Sequence, residues 1–192
     1  MKKILLVGEH PYSTAGNGNM MKAILGQLDM DKYQVTVYSH TKADLPPYEK
    51  APYSIIDAEI SDGDEFGIKK LGNVVGSLEF DVLLTIGCDI WRYADVMGHI
   101  AKVRRHRNFR WGAIFPYDIL MPREDWVTWI RMLDFPCVYS KFGYDLLKDH
   151  VPKIRYYRPP LNGHETFQPY AFERKQEVRN ELFPTLGPEG IL

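Results

Sequence analysis

The chain has 192 residues, enough for one sizeable hydrophobic core with an appendage and short of two complete domains. Apolar residues make up 45% and charged residues 26%, the composition of a globular protein and not of a disordered one. With 24 basic against 25 acidic residues there is no general attraction to nucleic acid or membrane, so any anion site must be local.

Residues 4–7, Ile4-Leu5-Leu6-Val7, form a continuous apolar run of the kind that a parallel sheet buries on both faces. The run is too short for the core of a signal peptide, and no later run is long enough to span a bilayer. Cys88 and Cys137 have no CxxC partner and read as reduced core residues, so a cytoplasmic protein without a transmembrane segment is expected. Met20, Met21, Ile24, Leu25 and Leu28 then recur at helical spacing. Residues 33–38 alternate around Val35 and Val37 as a second strand, 42–53 are loop-like with three prolines, and 53–56 read as a short strand.

The pattern repeats from there. Residues 64–78 carry Phe66, Ile68, Leu71, Val74, Val75 and Leu78, a helix weakened by three glycines. Residues 81–86 are the next strand, and Val96, Ile100 and Val103 mark the next helix. A strand over 111–115 ends at Pro116. Pro122 suits the first turn of a following helix, with Glu124 and Asp125 complementing its dipole and Trp126, Trp129, Ile130 and Leu133 on its apolar face. A strand ending at Val138 and Tyr139 meets Ser140, a natural cap for a helix over 141–149, and 154–157 is the last strand. Alternating strands and amphipathic helices predict an α/β fold: a Rossmann-like open, mostly parallel sheet with helices on both faces.

In such a sheet, ligands collect at the carboxyl ends of strands, so the loops there hold the candidates. The first loop runs from Gly8 to Asn19, where Gly16, Asn17 and Gly18 either let backbone approach a ligand at a helix start or only satisfy turn geometry. It is not a dinucleotide fingerprint, since Met21 stands where a third glycine belongs and no acidic residue ends the second strand. Asp118, held between Pro116 and Pro122, either positions a hydroxyl or caps its own turn. Asp89 reads first as a cap for the helix after it. The basic run Lys102 to Arg107, with Arg110 beyond, reads either as a solvated helix end or as a nucleic-acid patch. No HExxH or comparable spacing is present among the six histidines, and no metal is expected.

Three features carry a resemblance over nearly the whole chain. They are the glycine-containing first loop, the strand end Phe115-Pro116-Tyr117-Asp118, and the connector Pro160-Leu161-Asn162-Gly163-His164-Glu165-Thr166-Phe167-Gln168-Pro169. Together, in this order, they resemble the amino-terminal domain of a GT-B glycosyltransferase of the large retaining family-4 type. The connector is similar to a P-x-G-V-D-x-x-x-F-x-P pattern of that family, with Asn162-Gly163-His164 in place of Gly-Val-Asp. The resemblance implies one half of a GT-B architecture: residues 1–169 as the acceptor-side domain and 170–192 as a linker into a second, donor-binding domain. It also implies transfer of a sugar from a UDP- or GDP-sugar to an acceptor hydroxyl. Gly16, Asn17 and Gly18 would lie near the donor phosphates, and Asp118 and Tyr117 would orient the acceptor, with Asp89 and His10 as further acceptor-side candidates. A stand-alone Rossmann- or flavodoxin-like binding module and a nucleic-acid-associated protein are the alternative readings.

Overall fold

The computed structural model describes residues 1–41, 51–61, 63–64, 66–87 and 94–158, together with 174, 177–178 and 180–181. Met1–Leu161 forms one compact unit and Asn162–Leu192 another. In the second unit the described residues are helical, and Arg174 pairs with Glu177 at 2.9 Å. The expected division at 169, the connector and the flanking Phe172 and Leu182 lie outside the described residues.

In the first unit, β1 (Lys2–Gly8) leads to α1 (Gly16–Gln27) and β2 (Tyr33–Ser39). Then come β3 (Ser54–Asp57), α2 (Ile68–Ser77), β4 (Val82–Ile86), α3 (Ala94–Arg104) and β5 (Arg110–Phe115). The unit closes with α4 (Glu124–Met132), β6 (Phe135–Val138), α5 (Lys141–Leu147) and the two-residue β7 (Arg155–Tyr156). All seven strands pair in parallel in the order β3-β2-β1-β4-β5-β6-β7. The predicted Rossmann-like sheet is therefore the observed one.

Side-chain parity divides the core in two. Leu5 and Val7 of β1 face one cluster with Leu71, Val75, Met97, Ile100, Trp126 and Ile130 from α2, α3 and α4. Leu6 faces the other, with Met20, Met21 and Leu25 of α1. This is the period-2 alternation of a strand with both faces covered, which is why residues 4–7 read as unbroken apolar sequence. One crossover helix sits on the α1 face, and the helices that follow β3, β4 and β5 sit on the other.

Two helices differ from their expected bounds for local reasons. The run expected from residue 64 becomes helical only at Ile68, after the cap position Gly67, and Asp64 lies ahead of it: its carboxylate accepts from the Ile68 and Lys69 N–H groups at 2.6 and 3.1 Å. Gly67, at φ 61°, makes the left-handed step between them. Pro122 lies just before α4, whose cap position is Arg123. Ser140 caps α5 as expected, its Oγ accepting from the Gly143 N–H at 2.9 Å.

The basic run has a structural use. Arg104 donates to the Met132 carbonyl at 3.0 Å and to Asp134 at 2.9 Å. Arg107 donates to the Val75 and Leu78 carbonyls at 2.9 and 2.7 Å and lies over the Phe80 ring. Asp134 also accepts from the Trp111 N–H at 2.7 Å. These bonds tie the end of α3 to α2, α4 and the start of β5, at the edge of the sheet opposite the strands' carboxyl ends. Lys102, Arg105 and Arg110 stay exposed, and Arg110 reaches to 3.8 Å from Asp134. The geometry favours the helix-end reading of this run over a nucleic-acid patch. Replacing Asp134 by Ala strands a main-chain N–H and a guanidinium, so a loss of about 2 kcal/mol is expected in urea unfolding. Asp134→Asn, which keeps an acceptor, should cost roughly half as much.

Candidate functional site

The strand order reverses beside β1. The chain moves outward from β1 through β2 to β3, then crosses back to place β4 on the other side of β1. In an open α/β sheet such a reversal marks the usual ligand position, at the carboxyl ends of the two flanking strands, here β1 and β4. At this point a Cβ on Gly8 would sit 2.6 Å from the Ile86 carbonyl oxygen and 2.9 Å from Met21 Cε. Only glycine lets β1, β4 and α1 converge there.

The loop from Glu9 to Ala15 is held by its own polar groups. Glu9 Oε2 accepts from the Gly18 N–H at 3.0 Å, and the His10 N–H donates to Thr41 Oγ1 at 3.0 Å. Ser13 N–H donates to the His10 carbonyl at 2.8 Å, and Ser13 Oγ accepts from the Ala15 N–H at 3.2 Å. The three α1 residues singled out from sequence differ in kind. Gly16 is exposed, with open space where a Cβ would go. The Asn17 side chain lies over Gly87, which has φ 76°, filling the place of a Cβ there at 2.6 Å. Gly18 is buried, and a Cβ on it would meet Ser13 Cβ at 2.7 Å and the His10 carbonyl oxygen at 2.8 Å. The close approach at Gly18 is thus made to this chain's own loop.

His10 is fully buried, and its Nδ1 accepts from the Tyr12 N–H at 3.2 Å, which leaves the proton of the neutral ring on Nε2. Burial pushes its pKa down, with Asp57 opposing. His10 supports the loop from inside. Tyr117 is also in the core, 1% exposed and edge-on to Trp126, and burial pushes its phenol up. Its main chain meets α5 closely, because a Cβ on Gly143 would lie 2.8 Å from the Tyr117 carbonyl oxygen. Asp118 is exposed on the loop after β5, two strands from β1 and so about 10 Å along the sheet edge. The structure does not bring Tyr117 and Asp118 together on one surface. Asp89 lies outside the described residues.

Sequence reasoning missed Glu9 and His40. Glu9 was hidden because its partner, Gly18, is nine residues on and acts through a backbone N–H. His40 follows β2, is 2% exposed, and its Nδ1 donates to the Phe66 carbonyl at 2.8 Å, edge-on to the Tyr38 and Phe66 rings. Burial lowers its pKa to about 4. Its position at the end of an apolar strand was the available signal.

Among the described residues, no group of three or more His, Cys, Asp or Glu is arranged to hold a metal ion, and no helix is long and apolar enough to cross a membrane.

Three outcomes test this geometry. Gly16→Ala adds a Cβ in open space at a helix start and should be neutral or stabilising by up to about 1 kcal/mol. Gly18→Ala collides with backbone and should cost about 1–3 kcal/mol in the same denaturation assay. His40 is held neutral by the fold, so its contribution is complete above pH ~6.5 and is lost as pH falls toward 4. That loss amounts to about 3 kcal/mol. The urea midpoint of the wild type should therefore fall more steeply between pH 7 and 4.5 than that of His40→Phe; parallel curves would place the acid sensitivity elsewhere.

No protein-family model matches the sequence, and no curated protein matches it. Solved structures do. A sucrose-phosphate synthase from Thermosynechococcus elongatus superposes with a TM-score of 0.51 at 15% identity, over 95% of this chain and 99% of that one. An alpha-glucosyltransferase in complex with UDP gives 0.50 at 11% identity, over 84% of this chain and 45% of that one. The chain thus spans about half the length of the second protein. At these identities the likeness concerns the fold alone, an open parallel Rossmann-like sheet shared with both structures.

Proposed function

We propose that the chain is the acceptor-side, amino-terminal domain of a retaining glycosyltransferase of family-4 type, acting in the cytoplasm. It moves a hexosyl group from a UDP- or GDP-sugar to an acceptor hydroxyl. The observation that carries this reading is the shared fold with two glycosyltransferases, one of them in complex with UDP, across most of the chain. The motif order from the first loop to the connector supports it independently.

Within this reading the acceptor lies on the β1–β4–β5 edge. Asp118 is the exposed carboxylate there, able to accept a hydrogen bond from an acceptor hydroxyl and orient its oxygen toward the sugar. Gly16 and Asn17 form the opposite lip, while His10 and Tyr117 hold the two loops from beneath. As the oxygen–sugar bond forms and the donor bond breaks, negative charge develops on the leaving diphosphate. Stabilising that charge is usually the largest catalytic term, and the reading assigns it to a second domain.

Calorimetric titration of residues 1–192 with UDP- and GDP-sugars tests the assignment. One wall of a cleft should bind in the millimolar range, about −4 kcal/mol, without multiple turnovers of transfer. Micromolar binding with turnover would make the chain self-sufficient, and no heat with either donor would remove nucleotide sugars as its ligands.

A further inference from the structure

The N-terminus of a helix attracts phosphate because its first N–H groups are unpaired and carry partial positive charge. In α1 that position is already taken. Glu9, at the end of β1, reaches nine residues ahead and accepts the Gly18 N–H at 3.0 Å, placing a carboxylate where a bound phosphate oxygen would sit. Three other helix starts on this edge also carry acidic or capping side chains. Asp64 accepts from the first N–H groups of α2, Glu124 and Asp125 fill the first turn of α4, and Ser140 caps α5.

A separate observation concerns cations. The described parts of the loops after β1, β2, β4 and β5, with the start of α5, carry Arg123 and Lys141 as their Lys and Arg residues. Arg123 is held by Asp125 at 2.9 and 3.2 Å and lies over the Trp126 ring, and Lys141 is held by Asp145 at 2.5 Å. Glu9 and Asp118 add negative charge to the same edge. A diphosphate brought against the first turn of α1 would meet the Glu9 carboxylate at close range and be repelled by it.

We propose that Glu9 is a specificity-determining residue: a built-in anion that keeps phosphate off the start of α1 and restricts ligand contact on the β1 loop to uncharged, hydroxyl-bearing groups. The hydroxyl-bearing ligand rests on the sugar-transfer reading; the exclusion of phosphate does not. It follows that a donor's diphosphate is held by groups other than the α1 amides, and that the β1 side of this edge faces sugar or acceptor.

Amide NMR of the whole chain tests the exclusion with inorganic phosphate and pyrophosphate as probes, so that no sugar enters the readout. In the wild type, the amide signals of Gly16, Asn17 and Gly18 should not shift saturably with either anion. Glu9→Gln keeps an oxygen that can accept the Gly18 N–H but removes the charge, and should gain phosphate affinity at these amides by tenfold or more. Glu9→Ala, which frees the amide entirely, should show the same gain and serves if the first variant does not fold. Saturable shifts in the wild type would overturn the proposal, as would folded variants whose amides still ignore phosphate. Either result would leave the donor titration, and with it the sugar-transfer reading, standing or falling separately.

Discussion

The placement of β1 is the constraint on which the rest of the molecule depends. It pairs in parallel on both sides, with β2 and with β4, and buries both faces. A strand so placed must be apolar throughout, and the chain that follows it must leave on one side and come back on the other. The carboxyl edge beside β1 is where that reversal falls, the usual ligand position in such a sheet. Gly8 is where the demand is sharpest, since strand, neighbouring strand and helix meet at distances that leave no room for a side chain. Gly87, directly after β4, repeats the condition, with its left-handed backbone covered by Asn17.

At this edge the polar groups of the first loop bond to one another. His10, Tyr12, Ser13, Ala15 and Gly18 are linked to one another or to Glu9 and Thr41, so the first loop is a preformed surface and not an open set of amides. Buried His10 and His40 stand behind it as neutral rings. Such a wall suits a role in orienting a neutral group, where fixed geometry matters more than charge. The opposite edge of the sheet is organised differently, by Asp134 with Arg104 at the end of α3 and Arg107 just beyond it, and its bonds are to carbonyls and one carboxylate.

The fold was legible because its signal is periodic. Leu5, Leu6 and Val7 or Val96, Ile100 and Val103 announce their elements whatever lies around them. Boundaries were less legible where a side chain acts at a distance: Asp64 belongs to α2 through hydrogen bonds four and five residues away and is not itself helical. The site was least legible of all. Gly16 and Gly18 look equivalent in sequence, yet one faces open space and the other is pressed against Ser13. Tyr117 and Asp118 are adjacent in sequence and part company in space, because successive residues leaving a strand point to opposite sides. Glu9 and His40 owe their positions to partners that no local pattern reveals.

The central claim is that ligand contacts gather at the carboxyl edge beside β1. A residue-resolved NMR footprint of a nucleotide sugar on the chain tests it most directly. Perturbed amides should cluster at the ends of β1, β4 and β5, around Glu9, Gly87 and Asp118. The groove at the other edge, lined by Lys3, Gln34, Thr36 and Phe80, should be silent. A footprint centred on that groove, or along the exposed side of α2 at Lys69 and Asn73, would contradict the account.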